Sequence, residues 1–144
     1  MAIPQPTFKR IATIDVNLGL QAILNETPIV INGESVKVSG ARLRTFLKGT
    51  KCVHCCLTGK FFAIEASKPN YKDFHLNLYA TTPRGKEVLM TSDHIVPISK
   101  GGIGGLRNRQ PMCQRCNLRK ANKMPTLPVE IVETITKRRN KPTT

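Results

Sequence analysis

Residues 109–123 read RQPMCQRCNLRKANK, and the spacing Cys113-x-x-Cys116 inside them decides how the rest of the chain is read. Two thiols three positions apart, followed by helix-favouring residues, predict a cysteine knuckle with a helix starting near the second pair of thiols. The same spacing recurs at Cys52-x-x-Cys55 in KCVHCCLTGKFFAIE, residues 51–65. Two such pairs supply four thiolates, the tetrahedral shell that a structural Zn2+ prefers. The chain has five cysteines, an odd number, and in a reducing compartment a disulfide framework is the weaker account of their spacing. Zinc ligation by Cys52, Cys55, Cys113 and Cys116 is therefore expected, tying the middle of the chain to its basic end. By spacing, Cys56 or His54 could replace Cys55. The expected arrangement keeps Cys55 on the metal, Cys56 as a small buried hydrophobe and His54 as an exposed knuckle residue.

Working outward, GKFFAIE and FHLNLYA predict strands joined by the polar link KPNYKD, TTPRGK predicts a turn, and EVLM a further strand. The four-glycine loop ISKGGIGGLRN then leads into the second knuckle. Upstream, PIVINGESVKV, 28–38, predicts a hairpin about Asn32-Gly33, a dipeptide that tolerates the positive φ angles of a tight turn. Ser39 is the expected cap of a short helix in ARLRTFLKG, where Leu43, Phe46 and Leu47 share a face and Gly49 offers a left-handed stop. IATIDVNLGLQAIL, 11–24, mixes strand and helix periods and takes no assignment, while residues 1–10 read as an extended arm. At the other end, VEIVETITKRR places apolar residues at 129, 131, 132 and 135, the pattern of a short amphipathic helix running into a basic tail. A 144-residue chain of this kind is an α+β protein with one modest core. Its expected divisions are an N-terminal hairpin and helix extension at 1–50, a zinc-bound core at 51–124 and a basic C-terminal helix and tail at 125–144.

Twenty-three Lys and Arg against nine Asp and Glu give a net charge of +14, which points to a polyanionic partner. Ten of the basic groups and two of the acidic ones lie in residues 101–144, starting at Arg107 and including Lys137-Arg138-Arg139. A solvated face is the plain alternative for any one of them, but the asymmetry as a whole favours nucleic acid. Arg109, Arg119, Lys120 and Lys123 are the candidates to hold flanking phosphates. No run approaches the roughly 18 apolar residues of a membrane span, and MAIPQPTFKR lacks the apolar stretch of a secretory signal. A soluble, cytoplasmic protein with no membrane partner is expected.

SDHIVPISKGG, residues 92–102, sets Asp93 beside His94 ahead of a glycine pair. Followed by Asn108 and by the knuckle CQRCN that closes on Asn117, this string resembles the HNH endonucleases, members of the His-Me finger group with a ββα-metal site. The resemblance covers about residues 52–123, and the paired knuckles are similar to those of small phage-encoded members, a phage protein in a bacterial host being one option; origin in a virus, a mobile element or a host stays open. It implies His94 as the general base, and Asp93 and Asn117 as ligands of a catalytic Mg2+ or Mn2+, with Asn117 standing where many members have histidine. Asn108 would organise the loop that carries His94. Adjacent side chains at a strand end point to opposite sides, so Asp93 would serve the metal while His94 serves the water. The implied activity is hydrolysis of DNA phosphodiester bonds. A non-catalytic zinc-dependent nucleic-acid binder explains the charge and thiols but leaves Asp93, His94 and Asn117 without a purpose. An interaction protein that docks its basic tail on an acidic partner explains less. Target sequence, nicking against double-strand cleavage, DNA against RNA, the role of residues 1–50 and the oligomeric state, a dimer included, stay open.

Overall fold

The computed structural model describes residues 8–67 and 73–137. The first seven residues of the expected arm, residues 68–72 of the KPNYKD link, and Arg138 and Arg139 lie outside the described residues. The mixed stretch 11–24 resolves into two elements, β1 (Phe8–Asp15) and α1 (Val16–Asn25). The change falls at Asp15, whose carboxylate accepts the Asn17 N–H at 2.8 Å and caps α1. A window laid across that point sees half of each period and fits neither.

The hairpin forms as expected, with β2 (Ile29–Ile31) and β3 (Glu34–Val36) joined through Asn32 at φ 51° and Gly33 at φ 75°. Both positive angles match the twist of the flanking strands. The next helix, α2, is shorter than its apolar pattern, spanning Ala41–Thr45. It runs on to Gly49 as tight i to i+3 turns, with Lys48 N–H on Thr45 O at 3.1 Å and Gly49 N–H on Phe46 O at 3.2 Å. Ser39 does not cap it; Gly40 holds that position and has no side chain to offer.

The remaining elements are β4 (Gly59–Ser67), β5 (Phe74–Thr81), β6 (Glu87–His94), β7 (Arg109–Cys113), α3 (Gln114–Lys120) and α4 (Val129–Thr134). One antiparallel sheet runs β1-β4-β5-β6-β7. Strand β7 is the surprise, because Pro111 sits in its middle. A proline lacks the N–H of a ladder and is tolerated at a sheet edge, which is where β7 lies. The Pro111 carbonyl in turn accepts the Val53 N–H at 3.1 Å, fastening the first knuckle to that edge.

Inward residues Phe62 and Ile64 of β4 pack in one core with Ile23 of α1, Val36 of β3, and Leu43 and Phe46 from the α2 region. Residues of the segment 11–47 and the cysteine knuckles thus share one core on the same sheet. Beyond α4, Thr136 bridges to Gly102, Ile103 N–H bonds Ile135 O at 3.0 Å, and Lys137 N–H bonds Gly101 O at 2.7 Å. The buried Ile135 therefore anchors the C-terminal segment on the glycine loop that follows His94. Among the described residues no helix is long and apolar enough to cross a membrane.

Candidate active site and metal centre

The first knuckle closes through Cys52 N–H on Leu57 O at 2.8 Å and Cys56 N–H on Cys52 O at 3.0 Å. The second opens α3, where Cys113 Sγ accepts the Cys116 N–H at 3.5 Å. All four sulfurs of Cys52, Cys55, Cys113 and Cys116 lie within 4.8 Å of one another, with Cys55 and Cys113 3.7 Å apart. A tetrahedral Zn–S bond of about 2.3 Å requires sulfurs about 3.8 Å apart, so the donor set fits zinc. Burial, followed by the neighbouring thiols, pushes the Cys116 thiol up to about 12. Burial also raises Cys52, but the backbone N–H groups of Cys55, Cys113 and His54 outweigh it and bring that thiol down to about 7.

Cys56 differs from its expected role. It is exposed, at φ 67°, so it takes the left-handed corner of the knuckle with its thiol on the protein surface rather than in the core. His54 is exposed as well.

Asp93 and His94 are the last two residues of β6, paired with Gln110 and Arg109 of β7. Asn117 comes from α3, where its Nδ2 donates to Thr91 Oγ1 at 2.8 Å; that hydroxyl donates on to Met112 O at 2.7 Å. Held by its nitrogen, the amide keeps its carbonyl oxygen without a protein partner among the described residues. Asp93, His94 and Asn117 line one cavity of about 290 Å³ together with Ser92, Pro97, Ile98 and Ala121. The carboxylate of the buried Asp93 accepts at Oδ2 from Gln110 Nε2 at 3.0 Å and from Lys120 Nζ at 3.2 Å. Its Oδ1 has no hydrogen-bond partner among the described residues.

Asn108 is fully buried. Its Oδ1 accepts the Val96 N–H, and its Nδ2 donates to the carbonyls of Val96 and Ile103, each at 2.8 Å. Its own carbonyl accepts the Ile95 N–H at 2.9 Å. The main chain immediately after His94 is thereby pinned. Gly102 completes the loop, since a Cβ there would lie 1.9 Å from the Val96 oxygen. Burial holds the His94 imidazole below the ordinary histidine range, and the Arg109 and Lys120 cations push it further down against the upward pull of Asp93.

Of the four cations expected along flanking phosphates, Arg119 and Lys123 are exposed and do not line the cavity. Arg109 is half-buried, with Nη1 donating to Ser92 Oγ at 3.1 Å and Nε buried without a partner among the described residues. Lys120 is drawn inward, its Nζ also donating to His94 O at 3.0 Å. Thr91 and Gln110, which orient Asn117 and Asp93, have no mark in the sequence. For Lys120 a mark exists: three residues after Asn117 on a helix places both on one face.

Residues 82–123 match the family model described as HNH endonuclease. No curated protein and no solved structure matches the chain. The matched segment takes in β6, β7 and α3, hence a strand pair followed by a helix, with Asp93, His94, Asn108, Asn117 and the second cysteine knuckle all inside it. That ββα segment, beside four cysteines placed to bind a metal, matches the HNH endonuclease family over residues 82–123.

Proposed function

We propose that the protein hydrolyses phosphodiester bonds of DNA, with His94 as general base and one divalent cation held by Asp93 and Asn117. The observation that carries this reading is the convergence of these three side chains on one cavity. Asp93 Oδ1 and Asn117 Oδ1, the side-chain oxygens of these lining residues without a hydrogen-bond partner among the described residues, are hard donors that suit Mg2+ or Mn2+. When bound, such a cation supplies neutralisation of the charge that develops on the phosphate.

His94 is kept neutral at pH 7 by burial and by Arg109 and Lys120. It can therefore take a proton from a water molecule as the water oxygen bonds to phosphorus and the bond to the departing sugar oxygen breaks. Asn108 fixes the backbone that aims the ring. The exposed Arg119 and Lys123 hold phosphates on either side, giving binding that weakens with salt. Cleavage of supercoiled plasmid in Mg2+ or Mn2+ is the test. The expected result is cleavage by the wild type, reduced about 10²- to 10⁴-fold in His94→Ala with DNA binding retained. Equal cleavage by both proteins removes His94 from the chemistry. Salt-sensitive binding with no cleavage by either leaves a zinc-dependent nucleic-acid binder.

A further inference from the structure

Lys120 ends α3 with its side chain only 15% exposed, against a carboxylate that is 7% exposed. A lysine at a helix end ordinarily extends its ammonium into water. Here Nζ turns inward and bridges Asp93 Oδ2 at 3.2 Å and His94 O at 3.0 Å. A buried carboxylate is costly without a counter-charge, and Gln110, the other group bonded to Oδ2, carries none. Among the described residues, Lys120 is the cation paired with the buried Asp93 carboxylate.

A divalent ion reaching for Asp93 Oδ1 and Asn117 would meet a positive charge already seated on the same carboxylate, and like charges that close repel strongly in a partly buried site. A phosphate oxygen entering the cavity offers the ammonium a second anion and relieves that repulsion. We propose that Lys120 is a tethered competitor of the divalent cation: it neutralises Asp93 in the metal-free site, weakens metal binding to the free protein, and thereby makes metal and phosphate bind cooperatively. This rests on Asp93 being a ligand of that metal. The coupling is reciprocal, so DNA raises metal affinity by the factor by which metal raises DNA affinity.

The experiment is Mn2+ titration of the zinc-loaded full chain, followed by electron paramagnetic resonance, with each variant checked for zinc content and melting temperature. Lys120→Met keeps the apolar stem, Lys120→Gln is the second neutral variant, and Lys120→Arg keeps the charge. The neutral variants are expected to bind Mn2+ about tenfold more tightly than wild type, with Lys120→Arg close to wild type. A short duplex, added in a His94→Ala background to prevent cleavage, is expected to raise Mn2+ affinity about fivefold or more, and the neutral variants lose that gain. Unchanged or weaker Mn2+ binding in both neutral variants overturns the proposal. Asp93→Asn separates the two levels. If it leaves Mn2+ binding intact, Asp93 is no ligand and the parent reading fails. If it abolishes binding while the Lys120 variants change nothing, only the competition fails.

Discussion

Asn108 uses both polar atoms of its side chain on main-chain partners, and both partners belong to the segment that follows His94. Asn108→Ala would leave the Val96 N–H and the Val96 and Ile103 carbonyls without that partner. At about 1–3 kcal/mol for a buried group left unsatisfied, the expected loss is on the order of 3 kcal/mol, read from urea unfolding. Asn108→Asp keeps the acceptor for the Val96 N–H but sets a buried carboxylate oxygen against the Val96 and Ile103 carbonyls, so it should destabilise at least as much as alanine. Because Val96 is two residues from His94, cleavage should fall in both variants even at a temperature where each is fully folded. A wild-type unfolding midpoint for Asn108→Ala would contradict the pinned loop. Gly102→Ala probes the same contact from its other side, since its methyl would lie 1.9 Å from the Val96 oxygen. It is expected to lower the melting temperature without touching any polar group of the cavity.

At the scale of elements, β4 was legible as a strand from FFAIE, but the burial of Glu65 within it was not, because its partners arrive from two other strands. Tyr79 Oη donates to Glu65 Oε1 at 2.5 Å and Asn77 Nδ2 at 2.9 Å, both from β5, while Arg10 Nε of β1 reaches Oε2 at 3.3 Å. The Arg10 guanidinium also lies 4.8 Å from the Tyr79 ring centre. A linear reading holds no register, so it cannot foresee such a cluster. For the same reason β7 was hidden behind Pro111 until its place at the sheet edge was known. Burial and the Glu65 carboxylate push the Tyr79 phenol up to about 12, above the ordinary tyrosine value of about 10. The folded state thus keeps a proton that the unfolded chain releases. The stabilisation is complete below about pH 10 and is lost as pH rises through about 12. Unfolding free energy of the wild type should therefore decline more steeply across that interval than that of Tyr79→Phe. Parallel curves for the two proteins would show that the phenol does not contribute to the alkaline limb.

Across the whole molecule, the parts of the site that could be read beforehand are those written in short local strings: Asp93 with His94, Asn108, Asn117 and the two cysteine pairs. Thr91, Gln110 and the inward turn of Lys120 depend on strand pairing and helix packing, and the elements of residues 8–50 find their packing partners across β4, β5 and β6, so those placements were not legible. The four thiols join these distant parts. Fifty-seven residues lie between Cys55 and Cys113, and Cys52, Cys113 and Cys116 are members of the apolar core itself. Bringing such a long loop closed costs chain entropy, and a structural zinc supplies on the order of 10–16 kcal/mol in small peptides against about 5–15 kcal/mol for the stability of an entire domain. Loss of the metal should therefore abolish the fold rather than loosen one corner of it. Cys113→Ser retains nearly the same volume and removes one thiolate, so the expected outcome is loss of bound zinc together with the cooperative melting transition, and strong chelation of the wild type should do the same. Cys56→Ser is the control, because Cys56 is exposed and outside the ligand cluster, and it should keep both zinc and the transition. Metal analysis alongside circular dichroism melts decides the matter: a metal-stripped protein that unfolds at the wild-type temperature would mean that the sheet and helices hold themselves together without the sulfur centre.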